Sequence, residues 1–172
     1  GTAATAAAFK PPPMGFSSWN KFGMGITVPE LVEVAEAFAS RGLQAAGYLY
    51  MCSDDGWMEL NRSSDTDLQV PTAAYMNGTY TTLRSVCDAL HARGFKCGIY
   101  TAAGTTTCGV RAGSLYNERL DAAHYAASGV DYIKYDGCGE ANLQHYAKDS
   151  AMYNAVRQAY ASTPKGAIDY FS

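Results

Sequence analysis

The chain has 172 residues, 48% of them hydrophobic and 17% charged, with a net charge of −3. Those values fit one folded domain with a sizeable core and exclude a disordered segment. Lysines and arginines are scattered singly, so neither nucleic acid nor an anionic membrane surface is an expected partner, and no apolar run approaches bilayer length.

Gly1 to Ala8 are small and uncharged, without the basic and apolar regions of a signal peptide, and residues 1–12 are expected to form an extended tail. A first strand begins in Met14-Gly15-Phe16-Ser17-Ser18-Trp19-Asn20. Thr27, Pro29 and Glu30 then open a helix by capping box and early proline, and Leu31, Val34, Ala35, Phe38 and Ala39 recur at helical spacing. A second strand over 48–53 carries Asp54-Asp55-Gly56-Trp57 at its carboxyl end. The polar stretch 58–78 is too long for a plain connector, which suggests a functional loop. A helix over 80–93, a strand over 97–100, a glycine-rich loop over 101–115 and a helix over 116–128 follow. A strand from Val130, a helix over 142–162 and a fifth strand over 167–172 complete the reading.

Three helix exits share one form: a glycine (Gly42, Gly94, Gly129) just ahead of an apolar strand. The long polar or glycine-rich segments follow strands and the short joints follow helices. This asymmetry predicts an α/β fold, a partial (β/α)8 barrel of about five βα units whose site lies at the carboxyl ends of its strands. A doubly wound sheet is the competing architecture, but the GxGxxG loop it calls for after the first strand is absent.

The candidate chemistry sits at strand ends. In Val130-Asp131-Tyr132-Ile133-Lys134-Tyr135-Asp136-Gly137-Cys138, the alternate residues Lys134, Asp136 and Cys138 share a face if the strand runs that far. An ammonium group beside a carboxylate favours its ionised form, as a carboxylate nucleophile requires. Asp54 and Asp55 end the second strand, Trp19 the first and Tyr100 the third. Asp-Asp-Gly alone is a common surface turn, but here it follows an apolar strand and precedes Trp57. Carboxylates that accept, a lysine that donates and rings that pack on C–H faces suit a neutral, hydroxyl-rich ligand.

Other chemistries are not supported. His91, His124 and His145 fall in helices away from the site and without metal-ligand spacing. Ser17 and Ser18 lack a base, and the glycine-rich loop lacks the Lys-Ser/Thr of a phosphate-binding loop. No metal or cofactor is expected. The five cysteines (Cys52, Cys87, Cys97, Cys108, Cys138) show no CxxC spacing and allow at most two internal bridges. Two sequons, Asn61-Arg62-Ser63 and Asn77-Gly78-Thr79, fit a secretory route.

With these residues in place, the chain resembles the family 27 glycoside hydrolases, the α-galactosidases and α-N-acetylgalactosaminidases. The matching motifs are Pro13-Met14-Gly15-Phe16 through Trp19-Asn20, Gly47-Tyr48 through Asp54-Asp55-Gly56-Trp57, Gly98-Ile99-Tyr100, Thr107-Cys108, Gly113-Ser114 and Lys134-Tyr135-Asp136-Gly137-Cys138. The resemblance implies retaining hydrolysis of terminal α-linked galactose or N-acetylgalactosamine, with Asp136 as nucleophile. It implies that Asp54, Asp55 and Lys134 bind sugar hydroxyls, that Trp19 and Tyr100 line the pocket, and that Cys108 and Cys138 form a disulfide beside the nucleophile. It also implies a secreted, lysosomal or vacuolar glycoprotein.

Three departures stand out. Gly56 replaces a usual cysteine whose partner near Met24 is also missing, and Phe16 replaces a usual tryptophan. The family's barrel has eight strands, so residues 13–172 correspond to its amino-terminal portion, and the acid/base carboxyl is expected outside this stretch. A five-stranded open barrel has raw edges that the remaining half or a partner chain must cover. The alternative function is a catalytically silent fragment serving as a structural or sugar-binding subunit.

Overall fold

A computed structural model describes residues 12–139, 154, 157–158 and 161–162, and the backbone of 170–171. The expected tail up to residue 11, most of the helix expected over 142–162, and His145 lie outside the described residues.

Five parallel strands form one sheet in the order β1-β2-β3-β4-β5: Gly15–Ser17, Tyr50–Ser53, Lys96–Ala102, Tyr132–Asp136 and Tyr170–Phe171. Each strand pairs with the next in the chain, and the order never reverses. A barrel wall requires this, whereas a doubly wound sheet has a switch point. Up to residue 139 the helices are α1 (Trp19–Phe22), α2 (Val28–Ser40), α3 (Ala73–Met76), α4 (Leu83–His91) and α5 (Glu118–Ser128), and a 3-10 turn spans Gly23–Gly25.

Local chemistry sets the boundaries. Thr27 and Glu30 form the expected capping box of α2. The helix expected from residue 80 begins instead at Leu83, because Thr82 caps it and Ser85 returns the bond to the Thr82 N–H. Tyr116, at φ 70°, lies in the left-handed region, so α5 starts at Glu118 rather than 116. The fourth strand stops at Asp136. Cys138 therefore lies past the strand and does not continue the alternation of Lys134 and Asp136.

The stretch 58–78 is anchored rather than free. Met58 and Trp57 are fully buried, and Met58 bridges to Pro71. Trp57 packs its ring at 6.5 Å from Tyr75 and 6.4 Å from Tyr125, and its indole N–H donates to the Tyr100 carbonyl at 2.8 Å. A buried polar network ties the same stretch to the loop after β3 and to α5. Gln69 donates to Thr101 Oγ1 (3.0 Å) and to the Ala112 carbonyl (2.6 Å), and accepts from the Tyr125 hydroxyl. Arg62 grips both oxygens of Asp121 (2.8 and 2.5 Å) and the carbonyls of Asp67 and Gly113.

Cysteines pair as Cys108–Cys138 and Cys87–Cys97, and Cys52 is free and buried. The bridge between α4 and β3 was left open by the cysteine count alone. It closes a loop with a sequence separation of 10. Replacing Cys87 and Cys97 together by serine should lower stability by roughly 2 to 3 kcal/mol, read from urea unfolding of the natural gene product. An unchanged midpoint would mean that this bridge does not form. Nearby, His91 meets Asp131 at 2.8 Å and Asp131 accepts the Cys97 N–H, so His91 has the structural role expected of it.

Candidate active site

The carboxyl ends of the strands bring the expected residues together. Trp19, Asp54, Asp55, Tyr100, Lys134 and Asp136 line one cavity of about 130 Å³, joined by Cys108. Register places them there: in the β3–β4 ladder Tyr100 is opposite Lys134 and Ala102 is opposite Asp136. Trp19, at 43% exposed, forms the open rim, whereas Asp54 and Asp55, at 1%, form the floor.

Asp54 is the centre of one hydrogen-bonded set. Its Oδ2 accepts from Lys134 Nζ and from the Ser17 hydroxyl, both at 2.8 Å. Its Oδ1 accepts the Asp55 N–H at 2.9 Å, and its own N–H donates to Ser18 Oγ at 3.0 Å. Ser17 thus holds the carboxylate that faces the cavity and Ser18 the backbone that carries it, a supporting role the sequence reading did not assign. The only sequence signal was their place at the end of β1.

Asp55 is differently employed. Its Oδ1 accepts from the Gly56 N–H (2.8 Å) and the Thr107 hydroxyl (2.9 Å), and its Oδ2 accepts the Gly109 N–H at 2.7 Å. It therefore clamps the loop after β3 as well as lining the cavity. That loop brings Cys108 Sγ to 3.4 Å from Asp136 Oδ2. Gly104 permits the approach, since a Cβ there would sit 2.2 Å from the Cys138 carbonyl.

Asp136 accepts the Gly137 N–H on Oδ1 at 2.8 Å and the Tyr100 hydroxyl on Oδ2 at 3.2 Å. Burial, then the charges of Asp55 and Asp136, push the Tyr100 phenol well above its ordinary range, so it stays a donor. Lys134 Nζ lies 5.2 Å from the Tyr100 ring centroid. Burial opposes the Lys134 charge, but its hydrogen bond to Asp54 and the charges of Asp54 and Asp136 outweigh it and raise the pKa above the usual 10.5. Cys108, Asp136 and Cys138 place their ligand-type atoms within 4.8 Å of one another, yet the two sulfurs are bonded to each other and offer no thiolate to a metal.

A raised lysine pKa stabilises the fold fully below the unfolded value and loses that contribution as pH rises through the folded one. The stability gap between the natural protein and Lys134→Met should therefore stay constant from neutral pH to about 10.5 and shrink only above it. Thermal melts across that range test this, and a gap already closed at pH 9 would overturn the pairing.

An unbroken parallel wall with an acid-lined cleft at its strand ends is the arrangement of a (β/α) barrel. The chain belongs to the alpha galactosidase A family, whose model (Melibiase_2) matches residues 11–170. It is 44% identical over 128 residues to an α-galactosidase of Cyamopsis tetragonoloba, covering 74% of this chain and 30% of that protein. It is 38% identical over 156 residues to an α-galactosidase of Coffea arabica, covering 88% and 40%. Among solved structures, α-galactosidase I of Mortierella vinacea superimposes with a TM-score of 0.79 at 35% identity, covering 87% of this chain and 37% of that one. An α-galactosidase of Saccharomyces cerevisiae gives 0.82 at 31%, covering 93% and 34%. The chain thus spans well under half the length of these relatives.

Proposed function

We propose that these residues belong to an enzyme that hydrolyses terminal α-linked galactose, or N-acetylgalactosamine, with retention, and that Asp136 is its nucleophile. The observation that carries the reading is the Asp136 carboxylate facing the cavity shared with the paired Asp54 and Lys134, in a family whose relatives are named α-galactosidases. Asp54 and Asp55 accept from sugar hydroxyls, Lys134 donates to them, and Trp19 and Tyr100 wall the ring.

Asp136 attacks the anomeric carbon opposite the leaving oxygen and forms a β-linked glycosyl ester, which water then opens. The Tyr100 hydroxyl and the Gly137 N–H orient the attacking carboxylate. Retention needs a second carboxyl group about 5 Å away, first as acid and then as base. Asp54 is engaged by Lys134, and both Asp55 oxygens hold the loop, so neither suits that task. The family resemblance implies that the acid/base lies outside residues 1–172. Residues 13–172 serve as the amino-terminal portion of a (β/α)8 barrel, and the remaining strands, in the same chain or a partner, cover the exposed edges.

Two bridges suit an oxidising compartment, and Asn61 and Asn77 are both exposed. A secreted, lysosomal or vacuolar glycoprotein is consistent with both. Among the described residues no helix is long and apolar enough to cross a membrane.

The test is 2-deoxy-2-fluoro-α-galactosyl fluoride applied to the natural gene product, followed by peptide mapping. One added fluorogalactosyl group on Asp136 is expected. Labelling of another carboxylate would remove Asp136 from its role, and no labelling together with no hydrolysis would favour a silent sugar-binding or structural subunit.

A further inference from the structure

Thr107 does not line the strand-end cavity, yet it is bonded to that cavity's floor. It is buried, at 2% exposed, and its hydroxyl donates to Asp55 Oδ1 at 2.9 Å while accepting the Arg111 N–H at 3.0 Å. The backbone closes the same turn. The Thr107 N–H donates to the Arg111 carbonyl at 2.9 Å, and the Val110 N–H donates to the Thr107 carbonyl at 3.0 Å. Val110 is left at φ 58°, a region that a β-branched residue enters only where its surroundings impose it. The turn is therefore wound onto Asp55 by these contacts and not by local preference.

The two oxygens of Asp55 end up unlike each other. A carboxylate oxygen accepts at two lone pairs. Oδ1 already has two donors, the Gly56 N–H and the Thr107 hydroxyl, whereas among the described residues Oδ2 has one, the Gly109 N–H at 2.7 Å. Gly109 admits that approach, since a Cβ there would sit 2.9 Å from Oδ2. Oδ2 is thus the oxygen with acceptor capacity left for a ligand. Without the Thr107 hydroxyl each oxygen would hold one backbone N–H, and nothing would distinguish them.

We infer that Thr107 is a positioning residue for the sugar: it fixes the Asp55 carboxylate so that Oδ2 is the oxygen offered to a galactose hydroxyl. The inference rests on the α-galactosidase reading above. A contact between Asp55 and the sugar acts in the ground state and the transition state alike, so its loss appears in KM and not in kcat. Cys108 keeps its place beside Asp136 through its own bridge to Cys138, which leaves the chemical step intact.

The test measures kcat and KM for nitrophenyl α-galactoside in the natural gene product, in Thr107→Val, which keeps the shape and loses the hydroxyl, and in Thr107→Ser, which keeps the hydroxyl. Thr107→Ala stands in if the valine variant does not fold. Thr107→Val should raise KM roughly tenfold, the value of one hydrogen bond to a charged group, with kcat within threefold, and Thr107→Ser should stay within twofold in both. A merely structural role would lower the folded fraction, and with it the apparent kcat, at constant KM. A KM unchanged within twofold in Thr107→Val, or raised equally in Thr107→Ser, overturns the inference. If the natural protein does not hydrolyse the galactoside, the galactosidase reading fails by itself, and the Kd of galactose from calorimetry replaces KM. A tenfold rise confined to Thr107→Val then upholds the role of Thr107. Equal values in all three proteins, or no binding in any, refute it.

Discussion

Asp136→Ala in the natural gene product should reduce hydrolysis of nitrophenyl α-galactoside by roughly four orders of magnitude or more, with little change in KM for the residual activity. Among the described residues the carboxylate, at the end of β4, accepts from the Gly137 N–H and the Tyr100 hydroxyl and lies near the Cys108 sulfur, so its removal opens space without breaking a fold-wide network. Added azide should then enter the vacated space and attack from the same side as the lost oxygen, giving β-galactosyl azide from an activated galactoside. NMR of the product distinguishes the anomers. Residual activity above about a hundredth of the original, or an α-configured azide, would count against Asp136 as the attacking group.

The largest expected effect on stability lies elsewhere. Arg62→Ala strands Asp121, at 2% side-chain exposure, as a buried carboxylate without its bidentate partner, and frees the carbonyls of Asp67 and Gly113. Breaking one side of such a pair costs about 3 to 5 kcal/mol. Substituting Asp121→Leu in the same background removes the stranded charge and should recover at least half of the loss. Urea unfolding of the single and double variants makes the comparison. A single variant within 1 kcal/mol of the natural protein would mean that water reaches Asp121 freely.

Much of the frame was legible because it depends on local rules. Apolar runs, glycine at helix exits and the Thr27–Glu30 capping box located β1 to β4 and the helices α2, α4 and α5 to within a few residues. The cavity followed because strand ends in a parallel wall must meet, and Lys134, Asp136, Tyr100, Asp54, Asp55 and Trp19 stand at those ends. The short helices α1 and α3 escaped because one turn has no periodicity to detect. The Arg62–Asp121 and Gln69–Tyr125 contacts escaped for a different reason. They join residues 59 and 56 positions apart, and nothing in a polar stretch marks which of its side chains turn inward. The loop-clamping role of Asp55 is of the same kind, since it appears only once Thr107 and Gly109 are folded over it.

The lone thiol carries a practical consequence. Disulfide scrambling needs an attacking thiolate, and Cys52 is buried with its pKa pushed far up by that burial and then by Asp54. In the folded molecule it is a spectator, so storage at mildly alkaline pH should not shuffle the two bridges. In an unfolded chain that shelter is gone, and all five sulfurs compete. Preparations recovered from denaturant should therefore need a redox couple to sort the pairings, whereas material never unfolded should keep them without one.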